Sequence, residues 1–498
     1  MYIRVIDHLF SQKMTKLPLQ VLLVCLQFQL GAQNLVAEIE KLKNDSDLTH
    51  ASWGICVMQC SSGQIIQEYN SNISLTPAST QKIVTTAAGL CILGEHFYYQ
   101  TGLEYDGTYD SITGIIDGNL FIKGSGDPTL QSVYFKNDKD TVLLINKWSE
   151  ILKSKGIKKI NGMIIADASV FEDEGTESNW VWGDMGNYYG AGASGLSYMD
   201  NMYSIFFNSD NKNDSTSIVK IIPEVPDFCI INRVKSGGMD DEAYIYGEPY
   251  DNHRYVTGTI PAGKINFEVK GSLPDPSYLL SFQLRKALIS DGTDVYGGAT
   301  TVRELKLKKD YHSGLHSTIF YQPSPTLDNI VYWTNMYSNN LFAEHILKTI
   351  ALKKHGFGTS ADGIKDLIDF WKKKGIEAKG LSLCDGCGLA RCNAITTRQL
   401  TDMLCVMYKE SCFPAFYNSL PVAGKSGTMK GLLKGTIAEN NLHAKSGSFN
   451  RVRSFAGYVK DKKGDQLAFS IIANNFDCSS NDMRKKMENL MLKIAELE

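Results

Sequence analysis

Beyond its first 32 residues the 498-residue chain holds no apolar run near the roughly 18 residues needed to cross a bilayer. It also lacks an excess of either charge: 51 Lys and Arg face 54 Asp and Glu, a formal net charge of −3. That balance leaves no basic footprint for a nucleic-acid partner. There is no like-charge tract, no internal repeat and no low-complexity segment. Several chemistries are absent with their motifs. Without Gly-x-Ser-x-Gly there is no strand-to-helix serine elbow. Without His-Glu-x-x-His there is no zinc pair on one helix face, and without a P-loop no phosphate cradle. The nine histidines show no metal spacing, and His345, inside an apolar helical pattern, reads as a packing residue rather than a base.

The one marked apolar run lies at the N-terminus. Lys13 and Lys16 precede "LPLQVLLVCLQFQLGA", which closes on the small pair Gly31-Ala32. A basic start, a short apolar middle and small residues at the end predict a cleavable signal peptide over 1–32, and so a periplasmic mature chain with no transmembrane segment. Val24, rather than a small residue, precedes Cys25, which argues against a lipid anchor. Ten of the eleven cysteines remain after such cleavage. Cys384, Cys387 and Cys392 have part of a zinc-site spacing, but a fourth ligand and a nearby histidine are missing, so no metal and no cofactor is expected. Disulfide pairing is not readable from the sequence, and free buried thiols fit equally well.

Texture along the chain predicts a split domain. A short helix at 34–43 is followed by two strands joined at Ser61-Ser62-Gly63, then a helix that carries Ser79 and ends near Gly94. From 104 to 309 short β-like runs alternate with Gly/Asp/Asn turns, with occasional helices at 143–154 and 277–290. Long amphipathic helices return at 325–337, 341–354 and 361–374, and a strand pair around "KDKKGDQ" precedes a last helix at 481–496. The expectation is an α/β unit, an antiparallel sheet flanked by helices, built from 33–103 and 310–498. A β-rich insertion of about two subdomains, 104–309, splits it.

Three short patterns carry chemistry. Ser-x-x-Lys occurs at Ser79/Lys82, Ser209/Lys212 and Ser217/Lys220. A serine and its base meet at i, i+3 only on a helix. Ser217 and Lys220 sit in a strand pattern that sends them to opposite faces, and Ser209 and Lys212 in a polar loop. Ser79 follows Pro77 at the head of an apolar helix, where free N–H groups can stabilise an oxyanion and burial can lower the pKa of Lys82. Of four Ser-x-Asn sites, only Ser338–Asn340 falls at a tight junction between two amphipathic helices. Of three Lys-Ser-Gly sites, only Lys445-Ser446-Gly447, followed by Ser448, precedes the final strand pair as a candidate edge strand. The 420–431 segment is too glycine-rich for a strand and reads as a loop near the site.

The order Ser-x-x-Lys, Ser-x-Asn, Lys-Ser/Thr-Gly is that of β-lactamases and penicillin-binding proteins. With "KGSGDPTL" (123–130), "IIADASVF" (164–171), "LPVAG..GT" (420–428), "AKSGS...V.SFAGYV" (444–459) and "LAFSIIANN" (467–475), the chain resembles the DacB-type D-alanyl-D-alanine carboxypeptidase/endopeptidases, the class C low-molecular-mass penicillin-binding proteins. The 187–201 stretch has a Bacteroidetes-like character. The resemblance implies a serine β-lactamase/transpeptidase-like fold and an activity on peptidoglycan stem peptides ending in D-Ala-D-Ala, with β-lactams as acylating inhibitors. It implies Ser79 as nucleophile, Lys82 as its base and Ser338 as proton relay. It further implies Asn340 on the substrate backbone, and Lys445, Ser446, Gly447 and Ser448 as the strand that binds the terminal carboxylate. Serines stand at 446 and 448 where the family usually has threonine, Asn339 fits the centre of the second motif, and "DGCGLARCN" (385–393) departs from the usual D-G-S-G-L-S-R-x-N. Cys387 and Cys392 there point to altered substrate preference or thiol sensitivity. A serine β-lactamase of the same fold and a non-catalytic peptidoglycan-binding or penicillin-sensing protein are the competing readings.

Overall fold

A computed structural model describes residues 33–136 and 143–498; the expected signal peptide, 1–32, lies outside the described residues. At its centre is a five-stranded antiparallel sheet in the order Ile65–Tyr69, Ser52–Gln59, Gln466–Asn474, Val452–Lys460, His443–Phe449. The two ends of the chain therefore share one sheet. Its inner strands are apolar on both faces, and their side chains alternate between two cores. Cys56, Met58, Ala468 and Ile472 join the helices Lys82–Leu93, Leu327–Met336, Asn340–His355 and Thr397–Met407 on one side. Ile55, Val57, Phe469 and Ile471 meet the helix at 33–43 and the helix Ser480–Ala495 on the other.

Between the sheet's two halves the chain builds further sheets around a separate apolar cluster. One has the order Ala299–Thr301, Ile164–Asp167, Leu120–Lys123, Gln100–Tyr105, Ser317–Pro323, so the segments that leave and re-enter the first unit pair with each other. Helices Leu144–Ser154 and Pro276–Ser290 cover it. The strand Met202–Asn208 with its two neighbours, and the group around His253–Ile260, belong to the same apolar cluster. This insertion grips the helix Asn340–His355 along its length. Buried Lys348 reaches Glu172 and Glu177 at 3.1 and 3.2 Å, and buried His345 lies between the Ser197 hydroxyl and the Gly126 carbonyl. Burial pushes the His345 pKa down to about 3, so it is a neutral packing and hydrogen-bonding group, as its setting predicts. Among the described residues, no helix is long and apolar enough to cross a membrane.

Candidate active site

The helix expected to carry Ser79 starts one turn later than its apolar pattern suggests. Ser79 sits in a 3₁₀ turn, Ala78–Gln81, and the α-helix runs Lys82–Leu93. Ala78 has φ +48°, a conformation rare outside glycine, and the turn is over-determined by its neighbours. The Pro77 carbonyl accepts from the Ser454 hydroxyl at 2.5 Å and from Thr80 at 2.7 Å, which ties the turn to the central sheet. From this turn the Lys82 amine reaches the Ser79 hydroxyl at 3.1 Å.

Lys82 is 0 % exposed. Its Nζ donates to Asn340 Oδ1 at 2.6 Å and to the Cys387 carbonyl at 2.8 Å. Asn340 opens its helix, capped by Asn339, whose side chain accepts from the Phe342 N–H. The Asn340 amide is oriented from the insertion, because its Nδ2 donates to the Tyr189 carbonyl at 2.8 Å. Burial lowers the Lys82 pKa, opposed by the nearby Cys387, Asp385 and Glu344 groups.

Lys445 is equally buried, on the edge strand His443–Phe449. It donates to the Ser338 hydroxyl at 2.9 Å and to the Ser446 carbonyl at 2.7 Å. Burial, then the charge of Lys82, holds its pKa well below the lysine value. Ser338, at φ +60°, makes the tight junction between the two helices. Gly447 has a steric reason: a Cβ there would lie 2.8 Å from both the Pro77 carbonyl and the Ser79 nitrogen. Only glycine lets the strand lie this close to the serine turn. The Ser446 hydroxyl donates to Thr428, which places the 420–431 loop beside the site as expected. Ser79, Ser338, Asn340, Ser446, Gly447 and Ser448 line one cleft of ≈510 Å³, with Asp184 and Arg391 on its wall. Lys82 and Lys445 stand beneath it, each touching a lining serine. The alternative pair is not there: the Ser209 hydroxyl donates to the Pro261 carbonyl in the insertion.

The 385–393 loop forms the floor under Lys82. Glu344, Asp385 and Cys387 place potential ligand atoms within 4.8 Å of one another. Their lone pairs already point at donors. Asp385 accepts from Gln81, Trp180, Asn393 and the Gly388 and Ala390 N–H groups, and Glu344 from the Gly386 and Cys387 N–H groups. Donors on these oxygens suit a carboxylate and oppose a cation. Cys384 and Cys392 are bonded to each other, so the three cysteines do not converge on one ion. The Cys387 thiol is fully buried, and burial with Asp385 and Glu344 beside it pushes its pKa well above the ordinary thiol value. Its presence therefore does not make the site thiol-sensitive. Iodoacetamide is expected to leave Cys387 unmodified in the folded protein and to label it after denaturation, read by peptide mass; labelling at the rate of an exposed thiol would contradict this burial.

The Tyr189 and Cys387 carbonyls, Glu344 and Trp180 were not among the sequence candidates. A backbone carbonyl has no residue signature, and Glu344 lies in an otherwise ordinary amphipathic pattern.

A five-stranded sheet with Ser79 at a helix head on its face and Lys445 on its edge strand is the α/β architecture of serine β-lactamase- and transpeptidase-like proteins. Within it, the chain belongs to the D-Ala-D-Ala carboxypeptidase 3 (S13) family, whose model matches residues 35–496. It is 26% identical over 470 residues to the D-alanyl-D-alanine carboxypeptidase DacB of Haemophilus influenzae, covering 90% of this chain and 91% of that one. It is 27% identical over 457 residues to the D-alanyl-D-alanine carboxypeptidase of Actinomadura sp. strain R39, covering 88% and 80%. The crystal structure of penicillin binding protein 4 (dacB) from Haemophilus influenzae superposes with a TM-score of 0.75 at 21% identity, over 91% of this chain and 98% of that one. The same protein has also been crystallised in complex with a β-lactam.

Proposed function

We propose that this protein is an exported serine D-Ala-D-Ala carboxypeptidase/endopeptidase that acts on peptidoglycan stem peptides through an acyl-enzyme on Ser79. The observation that carries the reading is the hydrogen-bond set of Lys82. A neutral amine has two N–H bonds and one lone pair. Two of its three neighbours, Asn340 Oδ1 and the Cys387 carbonyl, can only accept. They take both N–H bonds, and the lone pair is left facing the one neighbour that owns a proton, the Ser79 hydroxyl. This is the arrangement of a nucleophile with its base already aligned.

In the first step Ser79 Oγ bonds to the carbonyl carbon between two D-alanines, and its proton passes to Lys82. The oxyanion that forms lies between the N–H groups of Ser79 and Ser448. Collapse breaks the C–N bond, and the leaving amine takes a proton from Ser338, whose oxygen already accepts from Lys445. Ser338 in turn takes the proton that Lys82 removed from Ser79, so Lys82 is neutral again. Water then attacks the ester, with Lys82 again as base, and frees Ser79. The Asn340 amide keeps one N–H beyond Tyr189 for a substrate carbonyl, and Lys445 with the Ser446 and Ser448 hydroxyls binds the terminal carboxylate. A β-lactam, whose strained amide carbonyl takes the same place, acylates Ser79 and leaves slowly. The carboxypeptidase names of the Haemophilus and Actinomadura relatives support this reading. We assign the signal peptide to 1–32, the catalytic unit to 33–103 with 310–498, the insertion to 104–309, and the site of action to the periplasm.

The test is D-alanine release from a stem pentapeptide ending in D-Ala-D-Ala. Release that stops when benzylpenicillin is added supports the proposal. Fast penicillin hydrolysis without D-alanine release points to a β-lactamase, and neither reaction to a binding protein.

The pH profile has a defined shape. Attack needs Lys82 neutral, and carboxylate binding needs Lys445 charged. Burial lowers both pKa values below 10.5. The acylation rate should therefore follow a bell-shaped pH profile with both limbs below 10.5, because attack needs Lys82 without its proton and binding needs Lys445 with its own. A chromogenic cephalosporin followed by stopped flow reads it; a rising limb at the ordinary lysine value would contradict a buried base.

A further inference from the structure

We propose that Glu344 is a positioning residue that aims the Lys82 amine by gripping the backbone beneath it. The inference rests on the reading of Lys82 as base and adds a residue that touches neither substrate nor Ser79. Of the two acceptors that hold the amine N–H bonds, one is the Asn340 side chain and the other a backbone carbonyl, Cys387 O. A carbonyl is only as well aimed as its peptide plane, and here three successive planes are held by carboxyl oxygens of Glu344 and Asp385.

Glu344 Oε1 accepts from the Cys387 N–H at 2.7 Å and from the Gly386 N–H at 3.0 Å, and Oε2 accepts from Gly386 at 2.9 Å. That fixes the 385–386 and 386–387 planes. The next plane carries the Cys387 carbonyl on one edge and the Gly388 N–H on the other. The N–H is held by Asp385 Oδ1 at 2.8 Å, so the carbonyl must point the opposite way, at Lys82. Gly388 is at φ +85°, and a Cβ there would lie 2.1 Å from the Ala78 carbonyl, so the loop is packed against the serine turn itself. Glu344 and Asn340 share one helix, one turn apart. The same helix thus sets both acceptors, one directly and one through the loop. Glu344, Asp385 and Cys387 are all fully buried, so the grip on the loop is not screened by water. Loss of it would free the two planes that lead into Cys387 and leave the 387–388 plane to Asp385 alone, so that the lone pair drifts from the Ser79 hydroxyl.

Stopped-flow acylation by a chromogenic cephalosporin separates this role from plain stability. It yields three quantities: the acylated fraction at the end point, the non-covalent dissociation constant, and the acylation rate constant. Glu344→Ala is expected to keep the dissociation constant and to lower the rate constant about a hundredfold, the scale of an ångström-sized misplacement at a reacting centre. Glu344→Gln retains one acceptor oxygen but sets an N–H against the loop, and is expected to lose about three- to tenfold. A folded Glu344→Ala protein whose acylated fraction falls while its rate constant stays at the parent value would overturn the proposal. Should the alanine variant not fold, a parent-like rate constant in Glu344→Gln overturns it instead. Lys82→Met in parallel keeps the two levels apart. Parent-like acylation there removes Lys82 as base, whereas acylation that needs Lys82 but ignores Glu344 removes only the present inference.

Discussion

Ser79→Ala is expected to abolish covalent labelling by benzylpenicillin, with the acylation rate lowered at least about a thousandfold and the fold intact. The size follows from the absence of a substitute. Ser79 is the hydroxyl on which the Lys82 lone pair converges, whereas the Ser338 hydroxyl accepts from a lysine and so has no base. The structural cost is small, because Ser79 is half-buried and loses one hydrogen bond, about 1 kcal/mol. Intact-protein mass over time decides the matter. The parent should hold one penicillin mass per chain and the variant none. An adduct that survives the substitution moves the nucleophile elsewhere. No adduct and no turnover in the parent removes the acyl-serine mechanism altogether.

Lys82→Met is expected to lower the acylation rate about 10²- to 10⁴-fold, the range for loss of a general base. Its second signature lies in stability. Lys82 has a lowered pKa in the folded chain and the ordinary 10.5 when unfolded, so between those values the unfolded chain binds the extra proton. The parent's stability then rises with pH across that window. Methionine, of similar length and without charge, removes this contribution. The melting-temperature difference, variant minus parent, should thus be most positive near neutral pH and shrink as pH approaches 10.5. Scanning calorimetry at several pH values reads it, and a difference that does not change with pH would mean that Lys82 titrates as an ordinary surface lysine. Activity and stability moving apart in this way is the mark of a group buried for chemistry rather than for packing.

The motif residues were legible because each combines a side-chain type with a local pattern that aims it. Ser79 and Lys82 stand at the head of an apolar helix, Ser338 and Asn340 between two helices, and Lys445 to Ser448 just ahead of the final strand pair. The central strands could be read because both of their faces are apolar. What stayed hidden is set by contacts across long stretches of chain. The 3₁₀ turn at Ser79 depends on Ala78 at φ +48° and on Ser454 holding Pro77, and the Asn340 orientation on a carbonyl in the insertion. The bond between Cys384 and Cys392 closes a loop whose importance lies in a backbone oxygen, for which no residue type stands. Glu344 looked like any polar residue of an amphipathic helix until the loop was seen against it.

The central sheet pairs Ser52–Gln59 with Gln466–Asn474, and the lysine strand reaches it only through Val452–Lys460. A polypeptide emerging N-terminus first therefore exhibits its nucleophile early, as an unassembled serine beside an unaligned lysine. The floor loop, the lysine strand and the strand that joins the halves arrive hundreds of residues later. Reactivity toward an acyl donor needs the lysine strand and the strand that joins the halves, so a chain cut short before them is expected to be inert.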